Sequence, residues 1–212
     1  MTGQPPPRRV HWRFILAVLA LVGAWLAMLL AGAGSADRAI YQSLYAGHRP
    51  ALLAIARFFT LLGEPTWLIG ASAVVALWLW CVGRARVGLV LVAVTLTGRL
   101  LGEAQKYWIA PARPDVEPHL VVVKTSSFPS GHATSSMIFY LALALLLMGR
   151  SRWRNATAAT AVMLSLLVGT SRVMLGVHWP SDVVGGWAFG LLWVLLTLRP
   201  AERLLGNNSG ME

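Results

Sequence analysis

Six windows of this chain, Phe14–Ala33, Trp67–Val82, Val87–Leu101, Ala133–Met148, Ala156–Leu175 and Val183–Leu198, are apolar over a length that crosses or nearly crosses a bilayer. A helix spans the hydrocarbon core with roughly 20 mainly apolar residues, and somewhat fewer suffice when its ends snorkel to the interface. The windows predict an all-α integral membrane bundle of about six transmembrane helices. Composition agrees: 57% of the 212 residues are hydrophobic and only 12% are charged, against about a quarter charged in a soluble domain.

The first window has a rival interpretation as a signal peptide, because Arg8 and Arg9 precede it and the small residues Ala31–Ala36 follow it. Its apolar run is longer than the roughly 7–15 residues of a signal core, so a retained anchor is expected. The division expected is a basic tail over 1–13, one membrane domain over 14–200 and a second tail over 201–212. Cys81 is the single cysteine and has no partner for an internal disulfide.

A formal charge of +10 raises the question of a nucleic-acid partner, and its distribution answers it. With six crossings, Arg8, Arg9, Arg13, Arg84, Arg86, Arg150, Arg152, Arg154, Arg199 and Arg203 all fall on one side, with only Glu202 and Glu212 for company. The other side holds Arg38, Arg49, Arg57, Arg99, Lys106, Arg113, Lys124 and Arg172 together with six acids. An excess of basic residues in short loops marks the cytoplasmic face, so both termini are expected there and no nucleic acid is implied.

The links differ in character. Ala51–Leu62 carries Arg57 within an apolar run and suits either an interfacial helix or an early start to the second span. Residues 102–132 form the longest polar link, and Pro111, Pro114, Pro118 and Pro129 exclude regular helix from much of it. Trp12, Trp67, Trp108, Trp153 and Trp179 fall near span ends, where indoles favour the bilayer interface. Gly98 with Gly102 and Gly186 with Gly190 are spaced for close helix packing.

On the face opposite the arginine-rich loops, three links converge. Lys106 and Arg113 follow span three; Ser130, Gly131 and His132 open span four. Arg172 closes span five, and His178 and Asp182 lead into span six. Charges at the ends of apolar helices are costly unless paired or solvated, and three cations beside two imidazoles suit an anion. A helix beginning at Pro129-Ser-Gly-His132 directs free N–H groups and the positive end of its dipole at a bound phosphate-like group. Gly131 permits close approach, and Ser130 suits either a helix cap or a hydroxyl donor to the anion. A carboxylate at Asp182 that accepts Nδ1–H of His178 would leave Nε2 as nucleophile or base; spacing alone does not establish that the two meet.

Other polar residues have plainer expectations. His11, His48 and His119 suit solvated interfacial positions, Arg99 and Glu103 an ion pair four residues apart, and Asp37, Arg38 and Lys124 solvated loop charges. His132, His178 and Asp182 would make a poor metal triad, and the nearby cations would repel a divalent ion, so no metal is expected.

Lys106-x6-Arg113-Pro114, Pro129-Ser-Gly-His132 and Ser171-Arg172-x5-His178-x3-Asp182 together resemble the three-part signature of the type 2 phosphatidic acid phosphatase (PAP2) superfamily. One departure is that many relatives carry a further arginine in the first spacer, where this chain has Tyr107–Ala112. The resemblance implies a metal-independent, cofactor-free phosphatase in which His178 forms a phosphohistidine, Asp182 orients it and His132 protonates the leaving oxygen. Lys106, Arg113, Ser130, Gly131 and Arg172 would hold the phosphoryl oxygens. It further implies a phosphorylated lipid as substrate (undecaprenyl diphosphate, phosphatidylglycerol phosphate or phosphatidic acid) and a bacterial inner-membrane protein with its site on the periplasmic side. A phosphotransferase using the same residues and a non-catalytic anionic-lipid-binding bundle are the alternatives.

Overall fold

The computed structural model describes residues 12–109, 111–149 and 151–207, all of whose regular elements are helices. They are α1 (Trp12–Ala31), α2 (Ser35–Leu44), α3 (Pro50–Leu62), α4 (Pro65–Cys81), α5 (Ala85–Ile109), α6 (Gly131–Met148), α7 (Arg154–Met174) and α8 (Pro180–Asn207). Arg8, Arg9, His11 and Arg150 lie outside the described residues.

Helices α1, α5, α6, α7 and α8 are each long and apolar enough to cross a bilayer. The remaining expected window, Trp67–Val82, coincides with α4. α4 has 17 residues, about 26 Å of helix and short of a full hydrocarbon core. α3 and α4 together pass as one span bent by 46°, broken at Gly63-Glu64, where Pro65 starts the new helix at its first position. The chain is a multi-pass membrane protein.

α6 is the hub, packing against α5, α7 and α8. Small residues set how closely these helices approach: a Cβ on Gly186 would stand 2.9 Å from the Ser130 carbonyl, and one on Gly190 2.8 Å from Met137 Cβ. Ile138, Met137, Leu91, Leu68 and Val194 fill the main core beneath that contact. α1 has no buried residue yet runs along α8; apolar all round, it suits lipid on its free side. Trp25 ties it to the bundle, donating from Nε1 to Gln105 Oε1 at 3.0 Å.

Two expectations are corrected. Asp37 is buried, not solvated: it accepts the Ser181 N–H at 2.9 Å and the Ser181 hydroxyl at 2.5 Å. It thereby satisfies an orphan donor in the first turn of α8, where the helix dipole favours a negative charge. Trp179 is buried against Tyr41 and does not serve as an interfacial anchor, whereas Trp12, Trp67, Trp108 and Trp153 are exposed. Arg99 and Glu103 do pair, at 3.9 Å.

Candidate active site

The C-terminal ends of α5 and α7, the N-terminal ends of α6 and α8, and the break between α3 and α4 meet at one end of the bundle, and the 111–130 link folds over them. α7 finishes on Gly176, whose φ of +78° belongs to the left-handed region. Its neighbour Val177 donates back to the Arg172 carbonyl at 3.2 Å, the wrap of a glycine-ended helix. A side chain at Gly176 would also press on Tyr45 and Tyr41. The turn delivers His178 directly beneath the start of α8.

Asp182 lies in the first turn of α8 and accepts the Trp179 N–H at 2.8 Å, half of a capping box. The same oxygen, Oδ2, accepts the Ser127 hydroxyl at 2.5 Å and stands 3.3 Å from His178 Nδ1. On the other side of the ring, Arg113 Nη1 approaches His178 Nε2 at 3.2 Å. A guanidinium only donates, so Nε2 presents its lone pair and Nδ1 carries the hydrogen toward Asp182. Burial, and then the charges of Arg113, Arg172 and Lys106, hold the imidazole well below its ordinary pKa. His178 is therefore a neutral, oriented ring whose Nε2 lone pair faces Arg113.

The cations are fixed by hydroxyls and carbonyls rather than by carboxylates. Arg113 donates to the carbonyls of Thr125 (2.8 Å), Val177 (2.5 Å) and Ser126 (3.3 Å). Buried Lys106 reaches Thr125 Oγ1 at 3.2 Å, and buried Arg172 reaches Thr60 Oγ1 at 2.7 Å. A Cβ on Gly131 would sit 3.4 Å from Lys106 Nζ, so the ammonium lies against the opening turn of α6. Ser130 does not cap that helix with its side chain; its Oγ, like Arg172 Nε, is buried without a hydrogen-bond partner among the described residues. Buried donors of this kind are costly unless something accepts from them. A tetrahedral oxyanion, met by cations and backbone N–H groups, fits both.

Every residue expected from sequence (Lys106, Arg113, Ser130, Gly131, His132, Arg172, His178 and Asp182) sits at this end of the bundle. Sequence reasoning missed four others. Ser127 and Thr125 belong to a run of hydroxyls, Thr125-Ser-Ser127, whose density beside apolar spans was a signal. Glu64, with Oε2 3.4 Å from His132 Nε2, is a lone acid in an apolar stretch and was a stronger one. Thr60 carried no signal. A cavity of about 260 Å³ reaches the site at Arg113 and Asp182, with Arg38 and Asp115 also around it and apolar walls from Met28, Leu29, Phe128 and Trp179.

The model of the PAP2 superfamily matches residues 86–204. The chain is 34% identical to phosphatidylglycerophosphatase B of Bacillus subtilis over 174 residues, covering 80% of this chain and 85% of that protein. It is 36% identical to an undecaprenyl-diphosphatase of Sulfolobus acidocaldarius over 110 residues, half of each chain. The crystal structure of a transmembrane PAP2 type phosphatidylglycerolphosphate phosphatase from Bacillus subtilis superposes with a TM-score of 0.82 at 30% identity, covering 89% of this chain and 97% of that one.

Proposed function

The chain belongs to the PAP2 superfamily, and from that premise we propose that it is a membrane lipid phosphatase working through a phosphohistidine at His178. The observation that carries the mechanism is the posture of that ring: Nδ1 faces Asp182 and Nε2 faces Arg113. In the first step the Nε2 lone pair forms a bond to phosphorus while the bond from phosphorus to the lipid oxygen breaks. His132 gives its proton to that oxygen. In the second step water attacks phosphorus, its proton passes to His132, the N–P bond breaks and inorganic phosphate leaves. Lys106, Arg113, Arg172, the Ser130 hydroxyl and the backbone at Gly131 hold the equatorial oxygens, where positioning and electrostatics supply most of phosphoryl-transfer catalysis.

The substrate class is a lipid phosphate or diphosphate: phosphatidylglycerol phosphate, phosphatidic acid or undecaprenyl diphosphate. The cavity with apolar walls and a charged floor supports an amphiphile whose phosphate enters while its tails stay in lipid. The site is extracytoplasmic in a bacterial inner membrane, with both termini cytoplasmic. Arg84, Arg86, Arg152 and Arg154 lie at the opposite helix ends from His178, which supports that orientation by the positive-inside rule. Detergent-solubilised protein with excess chelator should release phosphate from at least one of these lipids, and His178→Ala should not. Activity lost on chelation and restored by a divalent ion would overturn the histidine mechanism.

A further inference from the structure

Glu64 lies at the break between α3 and α4, outside the three motifs that carry the family resemblance. That break is tied to the site at several points. Leu62, the last residue of α3, accepts the Tyr140 hydroxyl at 2.7 Å, and Tyr140 is on the same helix as His132. Thr60, two residues earlier, holds Arg172. Directly after Leu62, the Gly63 backbone lies against the histidine: a Cβ there would stand 3.3 Å from His132 Cδ2 and would collide with Val168. The ring is thus backed by glycine on one flank, with the Glu64 carboxylate at its Nε2.

An imidazole that protonates a leaving oxygen must carry its proton among charges that oppose it. Arg172 and Lys106, both positive, oppose a proton on His132; the Glu64 carboxylate stands at its Nε2, and Glu103 lies beside Lys106 at the opening turn of α6. Glu64 is acted on in turn by His132 and Arg172, and its further hydrogen bond is a long one from Thr66 at 3.5 Å. Its side chain is 48% exposed while that of His132 is 14% exposed, so the pair connects a dry site to water.

Building on the phosphatase function above, we propose that Glu64 is the positioning residue of the proton-transfer step: it orients His132 and balances the cations so that the ring carries a proton to the lipid oxygen. Glu64 stays a carboxylate and does not touch phosphorus. The imidazolium N–H supplies the proton as the P–O bond breaks. The neutral ring then accepts a proton from the attacking water, which returns it to its starting state.

The test uses full-length protein in one detergent, comparing Glu64→Gln with wild type on an alkyl phosphate lipid and on an aryl phosphate amphiphile. An aryl oxide leaves with little help from an acid, and an alkoxide does not. Glu64→Gln should lower kcat on the alkyl substrate by roughly 10- to 100-fold, part of the total available from acid–base catalysis, and by less than about 3-fold on the aryl one. The basic limb of the alkyl pH profile should move to lower pH, and Glu64→Asp should restore part of both changes. Equal losses on the two substrates, or no loss with an unmoved basic limb, would overturn the proposal and leave the phosphatase function standing. A wild-type protein inert toward every phosphorylated lipid would overturn that function, and the role of Glu64 with it.

Discussion

The site holds two imidazole–carboxylate pairs of nearly equal length and opposite surroundings. His178 and Asp182 are 3.3 Å apart with side chains 2% and 4% exposed; His132 and Glu64 are 3.4 Å apart with side chains 14% and 48% exposed. In the sealed pair the carboxylate also takes the Ser127 hydroxyl and the Trp179 N–H, so it is locked in place and aims one ring nitrogen outward. In the open pair the carboxylate is about half exposed and takes one further, long hydrogen bond from Thr66. The same two functional groups thus stand in different surroundings, which suits the sealed pair to the nucleophile proposed above and the open pair to the proposed proton exchange, because surroundings and not residue type set the work of a titrating pair.

The largest break of this contrast should come from His178→Ala, which removes the atom proposed to attack phosphorus. Turnover should fall on the order of 10⁴-fold or more on alkyl and aryl substrates alike, and acid-labile phosphate trapped on the quenched protein should vanish. His132→Ala should separate the substrates, losing roughly 10²- to 10⁴-fold on an alkyl phosphate and far less on an aryl one. A phosphohistidine that accumulates equally in the two variants would deny the division of labour.

Ser127→Ala touches only the sealed pair. The hydrogen bond lost is to a charged acceptor, about 1.5–3 kcal/mol, so kcat should drop at least about 10-fold. The loss should be the same for both substrate types, and the basic limb of the pH profile should not move. The smallest effect is expected from mild acid. His178 must be neutral to attack, and burial with three cations places its pKa well below the ordinary value. Lowering the pH to about 6 would protonate most of an unperturbed imidazole, whose pKa is about 6.5. Here kcat/KM should change little over that interval, and its acid limb should lie below the usual histidine range. An acid limb centred at the ordinary value would mean that the nucleophile is not sealed.

The sealed pair was nearly legible in the chain. His178 and Asp182 are four residues apart around a helix-starting proline, close enough in the chain to be considered as a pair, although spacing alone did not establish the contact. The six apolar windows, the anion-ready start of α6 and the charge asymmetry of the loops are local properties of the same kind. The open pair was not legible, although Glu64 stood out as a costly acid in an apolar stretch. Its partner was hidden because it lies on another helix. Asp37 with Ser181 and Thr60 with Arg172 were hidden for the same reason, and the first of these reversed the expectation of a solvated charge. The window foreseen for the second span, Trp67–Val82, coincides with α4, whereas Ala51–Leu62, foreseen as an interfacial helix or an early start to that span, is α3, set at 46° to α4 where Gly63 and Glu64 meet His132.

By itself the sequence determined a helical membrane bundle, the end of it at which the candidate anion-binding residues gather, and the residues of the resembling signature. Each of these follows from periodicity, charge and short spacing, which are set by neighbours along the chain. Only the tertiary structure decided which carboxylate serves which imidazole, which hydroxyls steady the cations, and which of the two pairs meets water. Those depend on how helices distant in sequence pack, and packing is governed by the shapes of opposed surfaces, such as the glycines of α8 on α6 and the bend of α3 against α4, that no single segment carries.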